Sequence, residues 1–161
     1  MHNSLQISHQ TLNGLWSIRA NADFDLKRFS ESLLNRAIRF GETIANDQLR
    51  LIQLWPDAAY LYSQQVELPA IASEYEKMIT DISHGFCRIQ LTGENALPFL
   101  NNYCSADLEQ ADINSNQCLR TSLGHYSIVI WWGSKSELQL LVDRSYAHSF
   151  IDFLNTLALR H

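Results

Sequence analysis

Glycine is scarce in this chain, and it never clusters. The six glycines, Gly14, Gly41, Gly85, Gly93, Gly124 and Gly133, stand singly. Neither G-x-G-x-x-G nor G-x-x-x-x-G-K-[ST] occurs, so the chain has no visible means of its own to grip NAD, FAD or a nucleoside triphosphate. Cysteine is also sparse: Cys87, Cys104 and Cys118 are odd in number and scattered. That is no disulfide framework, and it fits a reducing compartment. Long apolar runs are missing. The longest, IVIWW at Ile128 to Trp132, is far too short to cross a bilayer. The start, MHNSLQISHQTLNGLW, has neither a basic beginning nor a continuous apolar stretch, so no signal peptide is read there. Charge of one sign is weak too. A formal net charge of −5 argues against nucleic-acid backbone binding. Half of the basic residues fall between Arg19 and Arg50, but Glu31, Glu42 and Asp47 interleave with them as a mixed solvated surface. The expectation is a cytoplasmic protein with no nucleic-acid and no membrane partner.

Apolar residues are plentiful. They make up 46% of 161 residues, and four Trp, seven Phe and six Tyr supply large buried area. Such a chain builds a core without metal or disulfide staples. The first dozen residues read as a polar, loosely held arm, followed by a short strand from Trp16 to Ala20. Leu26, Phe29, Leu33, Ala37 and Phe40 recur at helical spacing, with Gly41 placed to end the helix. GETIANDQ reads as a loop. Gln48 to Trp55 reads as a strand with Leu49, Leu51 and Gln53 on one face; Pro56-Asp57 turns, and AAYLYS returns. Pro69 begins a helix carrying Ile71, Tyr75 and Met78 on one side.

The second half repeats the order. FCRIQL points Cys87, Ile89 and Leu91 one way and Phe86, Arg88 and Gln90 the other. Gly93 turns into a helix with Ala96, Phe99, Leu100 and Tyr103 inward, and Pro98 sits early enough to be tolerated. Three strands follow, QCLRTSL, YSIVIWW and ELQLLV, with turns at Gly124-His125 and at Gly133 to Ser136. Ser145 caps a last helix that buries Tyr146, Phe150, Phe153, Leu154 and Leu157. Each half thus reads strand, helix, strand-turn-strand, helix. The pattern predicts an α+β fold of two ferredoxin-like, split βαβ half-units, with antiparallel sheets packed against helices. No Pro-, Gly- or Ser-rich linker interrupts it, so residues 1–161 are read as a single two-lobed domain with lobes at about 14–80 and 81–161.

The stretch ITDISHGFCRIQLTG puts Asp81, Ser83, His84 and Cys87 close together. A Ser-His-Asp relay needs Ser-to-His and His-to-Asp hydrogen bonds. In an extended segment alternation puts Asp81 and Ser83 on one face and His84 on the other, and no G-x-S-x-G elbow occurs. The bland reading is that Asp81 and Ser83 bond nearby backbone, with His84-Gly85 as a bend. His84 and Cys87, at an odd offset, point apart. Cys118 and His125 flank a hairpin and have a route to one another, but no paired metal-ligand spacing accompanies them. Cys104 ends a helix, where the dipole disfavours a thiolate. Trp131 and Trp132 split across two faces, one in the core and the other either an interface anchor or core as well. No catalytic, cofactor-binding or metal-binding residue is assigned.

From Ile79 onward the letters Asp81, Ser83, His84 and Gly85, followed by Leu91, Gly93 and Ala96, resemble the gamma subunit of heterotetrameric sarcosine oxidase. The family form D-x-S-H-G, then L-x-G-x-x-A-x-x-x-L, then C and D-L, is matched by Asp81, Ser83, His84, Gly85, Leu91, Gly93, Ala96, Leu100, Cys104, Asp107 and Leu108. A C-x-x-T-x-L run is matched by Cys118, Thr121 and Leu123. Arg144, Ser145, Tyr146, Ala147, Ser149, Phe153 and Leu154 resemble the family's ending, and LWPDAAYLYS its Pro-Asp hairpin without the usual preceding glycine. The likeness covers about two thirds of the chain; the first 45 residues match only in element type.

The resemblance implies a fold like the folate-binding domains of the glycine-cleavage aminomethyltransferase. It implies a non-catalytic subunit whose partners, a large alpha-type subunit and others, hold FAD, FMN, NAD, tetrahydrofolate and zinc. That complex would demethylate sarcosine oxidatively and pass the one-carbon unit to tetrahydrofolate. Two alternatives stand beside it. One is a stand-alone folate-binding one-carbon protein; the other is the small subunit of an N-methylglutamate dehydrogenase-type complex.

Overall fold

Gln6–Gln10 and Gly14–Arg19 form the first two strands, β1 and β2. The computed structural model describes residues 5–68, 70, 75, 77–109 and 117–160. β1 corrects the reading of the first dozen residues as a loose arm. It pairs antiparallel with β7 (Phe86–Thr92) from Gln6 opposite Thr92 to Gln10 opposite Arg88. Backbone hydrogen bonding, which any sequence can make, holds a segment whose side chains carry little apolar signal.

Asp25 caps α1 (Leu26–Leu34) by accepting the Lys27 N–H at 2.8 Å, a bond of a type that contributes about 1 kcal/mol. Leu26, Phe29 and Leu33 are buried, as the spacing predicts. The helix stops earlier than expected. Asn35, not Gly41, closes the last turn: in the left-handed conformation at φ 54°, it places its N–H on the Glu31 carbonyl. Ala37 and Phe40 therefore lie outside the helix, and Phe40 is exposed. Within the expected loop, Thr43–Ala45 forms a short strand, β3, against β4 (Leu49–Trp55). β5 (Ala58–Ser63) returns from the Pro56-Asp57 turn, and β6 (Ile79–Asp81) adds to β2. Most of the helix read from Pro69 lies outside the described residues; Tyr75 packs against Phe24 and Phe29 at ring distances of 5.0 and 5.3 Å.

After β7 come α2 (Ala96–Asn101), then β8 (Cys118–Leu123), β9 (Tyr126–Ser134) and β10 (Glu137–Asp143). Gly124 at φ 58° makes the β8–β9 turn tight, a conformation that glycine adopts without a Cβ penalty. Ser145 is not the cap of the last helix. Arg144–Tyr146 is a 3-10 turn, α3 runs Ala147–Ala158, and no side-chain cap bond forms. Phe150, Leu154 and Leu157 are buried as expected, whereas Tyr146 is exposed because the 3-10 turn rotates it off the helix stripe.

The architecture is α+β, with two antiparallel five-stranded sheets and few helices. The chain divides into two compact units, Leu12–His84 and Gly85–His161 with the segment ending at Thr11. Their sheet orders are β3-β4-β5-β2-β6 and β1-β7-β10-β9-β8. Matched by role, β2 corresponds to β7, β5 to β10, β4 to β9 and β3 to β8. Four of the five places in each sheet therefore follow one strand-helix-strand-strand-strand plan. The fifth place differs in origin: β6 comes from its own stretch of chain, and β1 comes from before the other unit. The core of the 12–84 unit gathers Trp16, Ile18, Phe24, Phe29, Ile38, Leu51 and Leu61. The core of the other gathers Ile89, Leu91, Phe99, Leu100, Ile130, Trp132, Leu140, Phe150 and Leu154.

Candidate functional site

Ile79–Gly85 is not extended throughout, as the alternation argument assumed. β6 ends at Asp81, and Ser83–Gly85 turns as one 3-10 loop. The turn brings Ser83 back on Asp81. One Asp81 carboxylate oxygen accepts the Ser83 N–H at 2.8 Å and the Ser83 hydroxyl at 2.6 Å. The Ser83 oxygen in turn accepts the Leu15 N–H at 2.8 Å. Its other neighbour, the Leu15 carbonyl, lies at 3.2 Å. A hydroxyl has one proton, and the shorter, charge-assisted contact to Asp81 takes it. The Ile82 N–H bonds the Leu15 carbonyl at 2.9 Å, so that acceptor is served anyway.

These bonds hold the Asp81 carboxyl below its ordinary range. The Ser83 hydroxyl is the largest cause and the Ser83 N–H the next; burial opposes them, and the nearby His84 charge adds to the lowering. A carboxylate made more acidic is a weaker base. Catalytic order is also wrong, since Asp81 binds Ser83 directly and an exposed His84 is not interposed. What the arrangement does chemically is fix backbone: it ties the β6 end to the start of β2. The bond from the Ser83 N–H to Asp81 is the nearby-backbone bond that the sequence suggested, whereas the bond to Leu15, 68 residues earlier, is not.

The other candidates separate. Cys87 is buried in β7 while His84 is exposed in the turn. Cys118 pairs with Trp131, whereas His125 sits at the opposite end of that hairpin, beyond Leu123 opposite Tyr126. Five residues of strand, about 17 Å, lie between. Cys104 follows α2, with its sulfur 3.5 Å from the Thr121 hydroxyl. Among the described residues, no group of three His, Cys, Asp or Glu side chains is placed to hold a metal ion. Trp131 and Trp132 are both buried, which decides for core on both faces of β9.

Two features went unassigned in the sequence. On the sheet face opposite the Ile89-Leu91 core, Gln90 donates to Glu137 at 2.8 Å and Gln139 donates to the same oxygen at 3.2 Å. Arg88 reaches Gln139 at 3.4 Å. The signal was present in the alternation of FCRIQL and ELQLLV. The second is an aromatic group beside the β8–β9 turn. Tyr126 meets His125, Phe150 and Phe153 at ring distances of 4.0, 5.0 and 5.5 Å, with Tyr146 at 6.2 Å. Tyr146 and His125 are the exposed members.

Comparison with known proteins extends this picture at the level of fold. No family model matches the sequence. No curated protein matches it as a relative. A solved structure does match: a chain of the heterotetrameric sarcosine oxidase from Corynebacterium sp. U-96, in complex with pyrrole 2-carboxylate. The TM-score is 0.83 at 17% identity, over 99% of this chain and 86% of that one. This chain has that chain's fold. The agreement spans the first 45 residues as well, where sequence letters alone matched only in element type. At this identity the side chains differ at most positions, so shared architecture is what the comparison carries. Among the described residues no helix is long and apolar enough to cross a membrane.

Proposed function

We propose that this chain is a gamma-type, non-catalytic subunit of a sarcosine-oxidase-like heterotetrameric flavoenzyme. In that assembly it buttresses the large, alpha-type, folate-binding subunit in the cytoplasm. The complex oxidatively demethylates sarcosine and transfers the one-carbon unit to tetrahydrofolate. The observation that carries this reading is the match over 99% of the chain to a chain of such a heterotetramer. The Asp81-Ser83-His84-Gly85 motif and its continuation to Leu108 support it from the sequence side.

FAD, FMN, NAD, tetrahydrofolate and zinc belong to the other subunits in this proposal. The residues here suit none of them well. Zinc needs three or four convergent ligands, and the described residues offer no such group. A phosphate cradle of the known kinds needs clustered glycines leading into a helix N-terminus, and the six glycines of this chain stand singly. The chain's own contribution is two tightly built sheets and a fixed turn, which orient surface and catalyse nothing.

Co-expression with the large subunits tests the proposal. A stoichiometric complex that carries flavin absorbance and consumes sarcosine is expected, along with an isolated chain that binds neither flavin nor folate. Folate binding by the isolated chain with a dissociation constant in the micromolar range, about −8 kcal/mol, would overturn it.

A further inference from the structure

We propose that β1 is an exchangeable strap, which releases from β7 without unfolding its unit and re-docks in the same register on its own chain or on a second copy. Topology is the first argument. The edge place that β6 fills in the 12–84 unit is filled in the other unit by a strand separated from β7 by the whole of Leu12–His84. Weak anchorage is the second. No residue of β1 is fully buried, and only Ile7, with Leu5 before it, packs partly against the core. β10, on the other side of β7, has Leu138 to Val142 buried without a break. Gln6, Ser8, His9 and Gln10 are polar, so the strand leans on its backbone ladder to β7. A short ladder with only two half-buried apolar side chains, Leu5 and Ile7, scarcely offsets the entropy of ordering it, which places β1 at the low-stability end of the sheet.

The slot it leaves is specific. β7 buries Cys87, Ile89 and Leu91 on one face, and the strand that already matches its edge is the pairing Gln6 to Thr92 through Gln10 to Arg88. A second copy carries that same strand, so exchange needs no new contact, only extension of the Thr11–Asn13 connection. Exchange is thus favoured by concentration, and return to the own chain by dilution.

Two measurements on the full chain test this. Hydrogen exchange of the unsubstituted protein comes first: β1 amides are expected to exchange on the order of 100-fold faster than those of β9 and β10. Equal protection would overturn release. For exchange, one copy carries Ser8→Cys and another Gln90→Cys, because Ser8 lies opposite Gln90 in the ladder. Mixed at high concentration and oxidised, they are expected to give a cross-linked pair about 10-fold in excess of either variant alone, by the bias of docking in register. No excess of the mixed pair, with β1 release seen in the unsubstituted chain, would overturn exchange. Neither outcome depends on the partner subunits, so failure here leaves the proposed function standing.

Discussion

The Ser83 hydroxyl oxygen accepts the N–H of Leu15, 68 residues earlier, at 2.8 Å, and donates its own proton to Asp81 at 2.6 Å. One small side chain thereby closes the sheet edge at β6 onto β2. Deleting it leaves the Leu15 N–H, on a fully buried residue, without its acceptor. Ser83→Ala is expected to cost about 1–3 kcal/mol of stability, read by chemical denaturation. A change under about 0.3 kcal/mol would show that the bond is dispensable.

Acid dependence follows from the same carboxylate. The Asp81 carboxyl is held below its ordinary value of 3.8 in the folded chain. A depressed folded pKa means that the unfolded chain takes up the proton first as pH falls. The stabilisation is therefore fully present above the unfolded value, near 3.8, and is lost as pH falls through the lower folded one. Asp81→Asn is expected to lower stability at neutral pH and to flatten the loss below pH 3.8, measured as melting temperature against pH. An unchanged acid limb in the variant would contradict the assignment.

Gly14 and Gly85 separate two meanings of glycine. A Cβ on Gly14 would run into the Trp16 ring and lie 2.5 Å from the Gln65 carbonyl oxygen, whereas one on Gly85 meets nothing within 4 Å. Gly14→Ala is expected to cost about 1–3 kcal/mol through overpacking. Gly85→Ala is expected to be neutral or to stabilise by up to about 1 kcal/mol, through a stiffer unfolded chain. Melting temperatures of the two variants check both, and a large loss at Gly85 would assign that position a role beyond packing.

Trp132 is buried with its indole N–H lacking a hydrogen-bond partner among the described residues. An unmet buried donor costs about 1–3 kcal/mol. Trp132→Phe removes that penalty while opening a cavity at about 24 cal/mol per Å³. The two effects oppose, so a net change within about 1 kcal/mol is expected from urea midpoints. A loss well above 3 kcal/mol would mean that the N–H is satisfied in the native protein.

Much of the fold was legible because burial leaves a period. Cys87, Ile89 and Leu91 alternate along β7, and Leu26, Phe29 and Leu33 step around α1. β1 and β3 were not legible. Gln6–Gln10 has little apolar pattern, and Thr43–Ala45 is three residues long, so both owe their form to the backbone ladder of a neighbour. The helix end was misplaced because Asn35 adopts a left-handed turn that letters alone assign more readily to glycine. At the Asp81 turn, alternation put Asp81 and Ser83 on one face, and the two do bond, at 2.6 Å. It missed the 3-10 turn, which depends on Leu15 arriving from a distant strand.

Composition and period by themselves determined an α+β chain with two similarly ordered halves, and they picked out much of the core, such as Leu26, Phe29, Ile89, Leu91 and Phe150, though not the exposure of Phe40 and Tyr146. Tertiary pairing alone decided that Gln6–Gln10 completes the sheet of the later half and that Ser83 answers Leu15. The physical reason is that side-chain pattern is written locally, whereas a ladder hydrogen bond has no letter of its own and exists only once two distant segments meet.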